Sequence, residues 1–95
     1  MRQFKDHYGR YLHQGDLVED TNKKIIGRVV YRIRSGKLAV KAEKGLSWSK
    51  LSYVPISPPY FYNASGKHGK VYWFFHRYRL NNIVLLERRQ RRQNG

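Results

Sequence analysis

From Ile25 to Arg34 the side chains alternate with a period of two. Gly27, Val29, Tyr31 and Ile33 fall on one side, and Arg28, Val30, Arg32 and Arg34 fall on the other. Alternation in a run rich in β-branched and aromatic residues predicts a strand with one buried face. Ser35-Gly36 is a two-residue hairpin signal. Lys37–Glu43 then alternates again, with Leu38, Val40 and Ala42 inward and Lys37, Ala39, Lys41 and Glu43 outward. Ahead of this hairpin, Leu17–Thr21 reads as a short strand, and Asn22-Lys23-Lys24 as a polar turn.

Beyond the hairpin the pattern weakens. Lys44-Gly45 reads as a turn, and Trp48–Leu51 as an irregular turn leading into Tyr53–Ile56. Pro55, Pro58 and Pro59 exclude a long central strand or a helix there, because proline lacks the amide that a ladder needs. Tyr60-Phe61-Tyr62 follows, then a loop over 63–70 whose glycines and lysines suggest an exposed tip. Val71–Arg79 reads as a further strand. Ile83–Leu86 is taken as the last strand, followed by a basic tail. A helix running on through Arg92 is the alternative that four apolar residues leave open.

Asp6-His7-Tyr8-Gly9-Arg10 and Gly15-Asp16-Leu17-Val18 form a D-x-x-G-[KR] turn leading to a G-D-[ILV]-V strand. Together with Ile26-Gly27-Arg28-Val29-Val30 they resemble the opening of small β-barrels. The pairing is similar to the C-terminal barrel of phage YopX-like proteins and, more loosely, to KOW and other SH3-like modules. The resemblance covers roughly residues 6–42. It implies a small barrel, phage- or mobile-element-encoded, and supplies no catalytic residue to carry over. Physically, Gly15 permits backbone geometry closed to other residues, Asp16 can bond nearby amides, and Gly27 allows a bend or a close neighbour within a strand. All three are read as structural.

Composition narrows the partner. Seventeen of the 20 Lys and Arg residues lie after position 20, with only Glu43 and Glu87 to offset them there. The first twenty residues are close to neutral, and the formal net charge of the whole chain is +14. So much like charge opposes compaction and points to a polyanionic partner, nucleic acid being the commonest. Ninety-five residues suit one domain, and 40% hydrophobic content is enough for one modest core. The chain has no cysteine, which excludes disulfides and Cys-based zinc sites. No signal peptide is visible, and the apolar runs are too short to span a bilayer. The expectation is a soluble, cytoplasmic protein without a membrane contact.

Three constellations could bind the polyanion. The first is the outward face of the hairpin, with Arg28, Arg32 and Arg34 on one strand and Lys37 and Lys41 on the other. Antiparallel neighbours project to the same side and can follow a phosphodiester backbone. The plain alternative is a solvated face, but such faces mix charge signs and this one offers only Glu43. The second is the aromatic-basic stretch 67–79, with Lys67, Lys70, Tyr72, Arg77, Tyr78 and Arg79 as contact residues. Rings there could stack on bases, although a small domain also needs aromatics for its core. The third is the tail, with Arg88, Arg89, Arg91 and Arg92.

Catalysis has little support. His7, His13, His68 and His76 lack the spacing of a metal pair. Asp16, Glu19 and Asp20 near His13 superficially resemble a metal-assisted nuclease site, but acids around the start of a strand more often do turn chemistry. The expected fold is all-β, a small SH3-like or related open β-barrel over 1–87, with a basic tail or short helix over 88–95. The expected function is a non-enzymatic nucleic-acid-binding module without cofactor or metal. The rival is a protein-binding modulator that docks on an acidic surface of a nucleic-acid machine such as RNA polymerase or a ribosome. If the tail is free, truncation after Glu87 should change stability by less than about 1 kcal/mol.

Overall fold

The computed structural model describes residues 4–32, 37–63 and 79–89. Over these residues the chain is all-β. Its strands are β1 (Leu17–Asp20), β2 (Ile25–Arg32), β3 (Lys37–Ser47), β4 (Ser52–Asn63) and β5 (Ile83–Glu87). They form one antiparallel sheet in the order β4-β3-β2-β1-β5, so four strands run as a meander and the last returns to lie beside the first. Ile83–Leu86 is therefore a strand, as expected, and not the start of a helix.

Alternation does the sorting. Val18 and Asp20 in β1, Gly27, Val29 and Tyr31 in β2, and Leu38, Val40 and Ala42 in β3 all face inward. The core adds Phe4, Leu12, Tyr62, Leu80, Ile83 and Leu85, with Ile25 and Ile56 packed against its margin. Tyr31 joins the strands to the N-terminal segment. Its hydroxyl donates to the Leu12 carbonyl at 2.8 Å and accepts the Phe4 amide at 3.1 Å. Burial pushes its hydroxyl pKa up; the Phe4 amide opposes the shift and the Asp16 charge adds to it. Gly27 lies beside a bulge, where the β3 backbone stands close against β2. A Cβ there would overlap the Lys41 carbonyl and crowd the Ala42 Cα at 2.9 Å, so the close-neighbour reading of this glycine holds.

Four expectations need correction. Arg32, not Arg34, stands opposite Lys37, so the pairing is displaced by two residues from a Ser35-Gly36 turn; residues 33–36 lie outside the described residues. Face assignments survive, because a two-residue displacement preserves parity. Lys44-Gly45 is not a turn but part of β3, whose register shifts against both neighbouring strands around Glu43. A bulge absorbs the extra residue and lets the strand continue. Ala39 has outward parity yet is only 3% exposed; its methyl is short and stands beside Val30 across the ladder. Finally, β4 is much longer than Tyr53–Ile56. It tolerates its prolines because it is an edge strand whose pairing is interrupted between Pro55 and Tyr60. The proposed strand Val71–Arg79 lies outside the described residues except for Arg79, which bridges to Lys5.

The free edge of β5 is closed by the turn that precedes β1. The His7 amide donates to the Ile83 carbonyl at 2.7 Å. Two residues on, the Leu85 amide donates to the Asp6 carboxylate at 2.9 Å, and its carbonyl accepts from the Arg10 guanidinium at 3.0 Å. Asp6 is fully buried and also accepts from the amides of Tyr8 and Arg10 and from the Arg10 Nε. Burial pushes its carboxyl pKa up, but the Leu85 and Arg10 amides and the Arg10 guanidinium outweigh that and hold it below the ordinary value of 3.8. A carboxyl with a lowered folded-state pKa contributes stability above its unfolded value and loses it as pH falls through the folded one. Asp6→Ala should therefore cost about 2–4 kcal/mol in urea denaturation near neutral pH. Asp6→Asn should flatten the decline in stability that the native chain shows as pH falls below about 4.

Candidate nucleic-acid interface

The register places three side chains in one transverse row on the face away from the core. Arg28 of β2 is opposite Lys41 of β3, and Lys41 is opposite Phe61 of β4. Leu17 of β1 extends the row beyond Arg28. Adjacent strands are about 4.8 Å apart, so the row spans about 10 Å from Arg28 to Phe61. Lys41 is exposed and Phe61 is 53% exposed. Among the described residues Lys41 forms no ion pair. Arg28 donates to the Gly15 carbonyl at 3.1 Å and lies 3.8 Å from Glu43. Both partners of that ion pair are about 40% exposed, so it is worth little and leaves the guanidinium available.

Phe61 was not among the predicted contact residues. Its signal was its position: it alternates with Tyr62, which is buried, but pairing with Lys41 could not be assigned without knowing where β4 lies. Arg32 and Lys37 belong to the same hairpin, as expected, but they are direct cross-strand partners, where a Ser35-Gly36 turn would have set Arg34 opposite Lys37. Arg34, Lys67, Lys70, Tyr72, Arg77, Tyr78, Arg91 and Arg92 lie outside the described residues.

The remaining predicted cations sit elsewhere. Arg79 is exposed and runs along Gly9. Arg88 and Arg89 are joined to the body of the domain through Asp16, which is fully buried. The carboxylate of Asp16 accepts from the Arg88 guanidinium at 2.7 Å, the Arg89 amide at 3.0 Å and the His13 amide at 2.8 Å. Arg88 also donates to the Tyr11 carbonyl at 2.8 Å and touches the His13 ring. Gly15, at φ +87, makes room for the Arg89 side chain, whose Cδ would stand 2.6 Å from a Cβ there.

A second aromatic and basic surface, also missed from the sequence, lies on the turn ahead of β1. Tyr8 and Tyr11 are 69% and 46% exposed. Their rings already carry cations: Arg10 stands over Tyr8 at 5.5 Å, and Lys5 over Tyr11 at 4.9 Å. The acids near His13 do not assemble as a site. Asp16 and Asp20 point inward, whereas Glu19 points to the opposite side of β1 and accepts from the Tyr53 hydroxyl at 2.9 Å. Asp20 takes the amides of Asn22 and Lys23, which is turn chemistry. Among the described residues no three His, Asp or Glu side chains group as a metal site. No helix there is long and apolar enough to cross a membrane. Comparison with protein-family models, curated proteins and solved structures gave no match.

The Asp16 contacts revise the expected effect of truncation. Cutting after Glu87 strands a buried carboxylate without two of its donors. The melting temperature should fall by an amount worth about 1–3 kcal/mol, toward the lower end because Arg88 is half-exposed. Arg88→Ala should reproduce a large part of that loss, and Arg91→Ala with Arg92→Ala should reproduce little of it. Thermal denaturation of the three variants checks this order.

Proposed function

We propose that the chain is a non-enzymatic nucleic-acid-binding module whose contact surface is the outer face of β2, β3 and β4. The observation that carries this reading is the Arg28–Lys41–Phe61 row. It sets two cations beside an exposed ring on the sheet, with Glu43 close to Arg28 and Glu87 opposite Leu17 at the far end of the row. Phosphates take the cations, and a base stacks on the ring. The likeness to SH3-like modules is part of this proposal, beside a strand order in which β5 returns to lie next to β1.

The two kinds of contact predict different signatures. Lys41→Ala should weaken binding to any sequence alike and reduce the slope of log affinity against log salt by about one. Phe61→Ala should cost about 1–3 kcal/mol of binding with the slope unchanged. Fluorescence anisotropy over a salt series separates them. Unaltered affinity and slope in both variants would remove the face from the site. A partner retained from lysate after nuclease digestion, and lost in Lys41→Ala, would favour an acidic protein surface instead.

A further inference from the structure

The turn between β3 and β4 holds the two most exposed large apolar side chains among the described residues, Trp48 at 70% and Leu51 at 78%. Leu51 also has φ +53. In that left-handed region glycine or asparagine is ordinary and a branched apolar side chain is strained. Leu51 therefore contributes nothing to the core and costs something in the turn. The turn itself is braced. Ser47 and Ser52 close the ladder, the Lys50 amide donates to Ser47 Oγ at 3.3 Å, and the hydroxyls of Ser47 and Ser49 bond at 3.1 Å. Two apolar side chains are thus held in solvent on a shaped support.

Lysines lie on this turn, on β3 and on the neighbouring β1–β2 turn. The β1–β2 turn lies alongside, tied by the Leu46 amide to the Lys24 carbonyl at 3.0 Å. Lys23, Lys24, Lys44 and Lys50 are all exposed, and among the described residues none is in an ion pair. Residues 21–25 and 44–52 contain no acid.

We infer that this tip inserts into single-stranded or locally unpaired nucleic acid. Trp48 stacks on an unpaired base, Leu51 wedges against its neighbour, and the four lysines neutralise the flanking phosphates. The inference rests on the nucleic-acid reading above and adds the class of ligand: strands with accessible bases over intact duplex. An anionic bilayer is the weaker candidate. Membrane attachment scales with buried apolar area, and two side chains offer little, whereas one indole is enough for one base.

The test uses the full chain in two ways. In a Trp73→Phe background Trp48 is the only indole, the chain having two. Its emission should be quenched by oligothymidylate, less so by duplex of equal length, and should not shift to the blue with phosphatidylglycerol vesicles. In the otherwise native chain, Trp48→Ala should weaken binding to oligothymidylate by about 5- to 150-fold without changing the salt slope. Leu51→Gly should hold or raise the melting temperature, because glycine relieves the strain, and yet weaken binding severalfold. Opposite signs cannot come from unfolding. Native affinity in both variants would overturn the tip while leaving the sheet face intact, since Lys41→Ala would still act. A blue shift confined to vesicles would assign the tip to lipid. Failure of the native chain to bind any strand would overturn both readings.

Discussion

The outer edge of β5 is completed by side chains where another strand would normally lie. Asp6 accepts the Leu85 amide and Arg10 donates to the Leu85 carbonyl, so one carboxylate and one guanidinium stand in for a ladder pair. An unpaired edge is a template for aggregation, and a buried carboxylate without donors would be worse. Each problem resolves the other. The same turn brings Phe4 and Leu12 over the open end of the core, where Tyr31 takes their backbone groups. A domain of this size has little spare stability, and the rest of the sheet depends on this closure.

Two more buried aspartates repeat the device. Asp16 gathers the ends of β5 and the turn before β1 through Arg88, Arg89 and His13. Asp20 shapes the β1–β2 turn, and its charge faces Tyr62, whose hydroxyl pKa is pushed far up, first by burial and then by this neighbour. Half of the chain's six acids are thereby spent on backbone geometry. The positive charge on the outside is left largely uncompensated, and the proposed binding of nucleic acid draws on that surplus. The bulge at Glu43 then divides the sheet. On one side of it the ladder aligns Arg28, Lys41 and Phe61; on the other it carries β3 out to the Trp48 turn.

The parts legible in the sequence were those set by local periodicity. Alternation places Val29, Tyr31, Leu38 and Val40 inward, and Leu17–Thr21 reads as a strand close to the observed β1. Ile83–Leu86 is taken as a strand while its four apolar residues leave a helix open, and the structure decides for β5. What escaped depended on pairing between distant segments. Lys44-Gly45 carries turn residues, and only a partner strand on each side shows it to be a bulged continuation of β3. Pro55, Pro58 and Pro59 argue against a central strand but cannot show that β4 is a long edge. Phe61 looks like one aromatic among many until Lys41 is placed beside it. Arg88 reads as one charge in a basic run because its partner, Asp16, lies 72 residues away. A tail arginine and a structural arginine have the same local sequence.

The central claim is that one outer face, from Arg28 across to Phe61 and out to the Trp48 turn, takes nucleic acid while the buried carboxylates hold the sheet beneath it. Its most direct test is a two-dimensional NMR titration of the full chain with a short oligothymidylate. The account predicts that the Lys41 and Phe61 amides and the Trp48 indole N–H shift together with one affinity, while the amides of Asp6, Leu85 and Val40 stay in place. Shifts confined to the turn carrying Tyr8 and Tyr11, with Lys41, Phe61 and Trp48 unmoved, would contradict it.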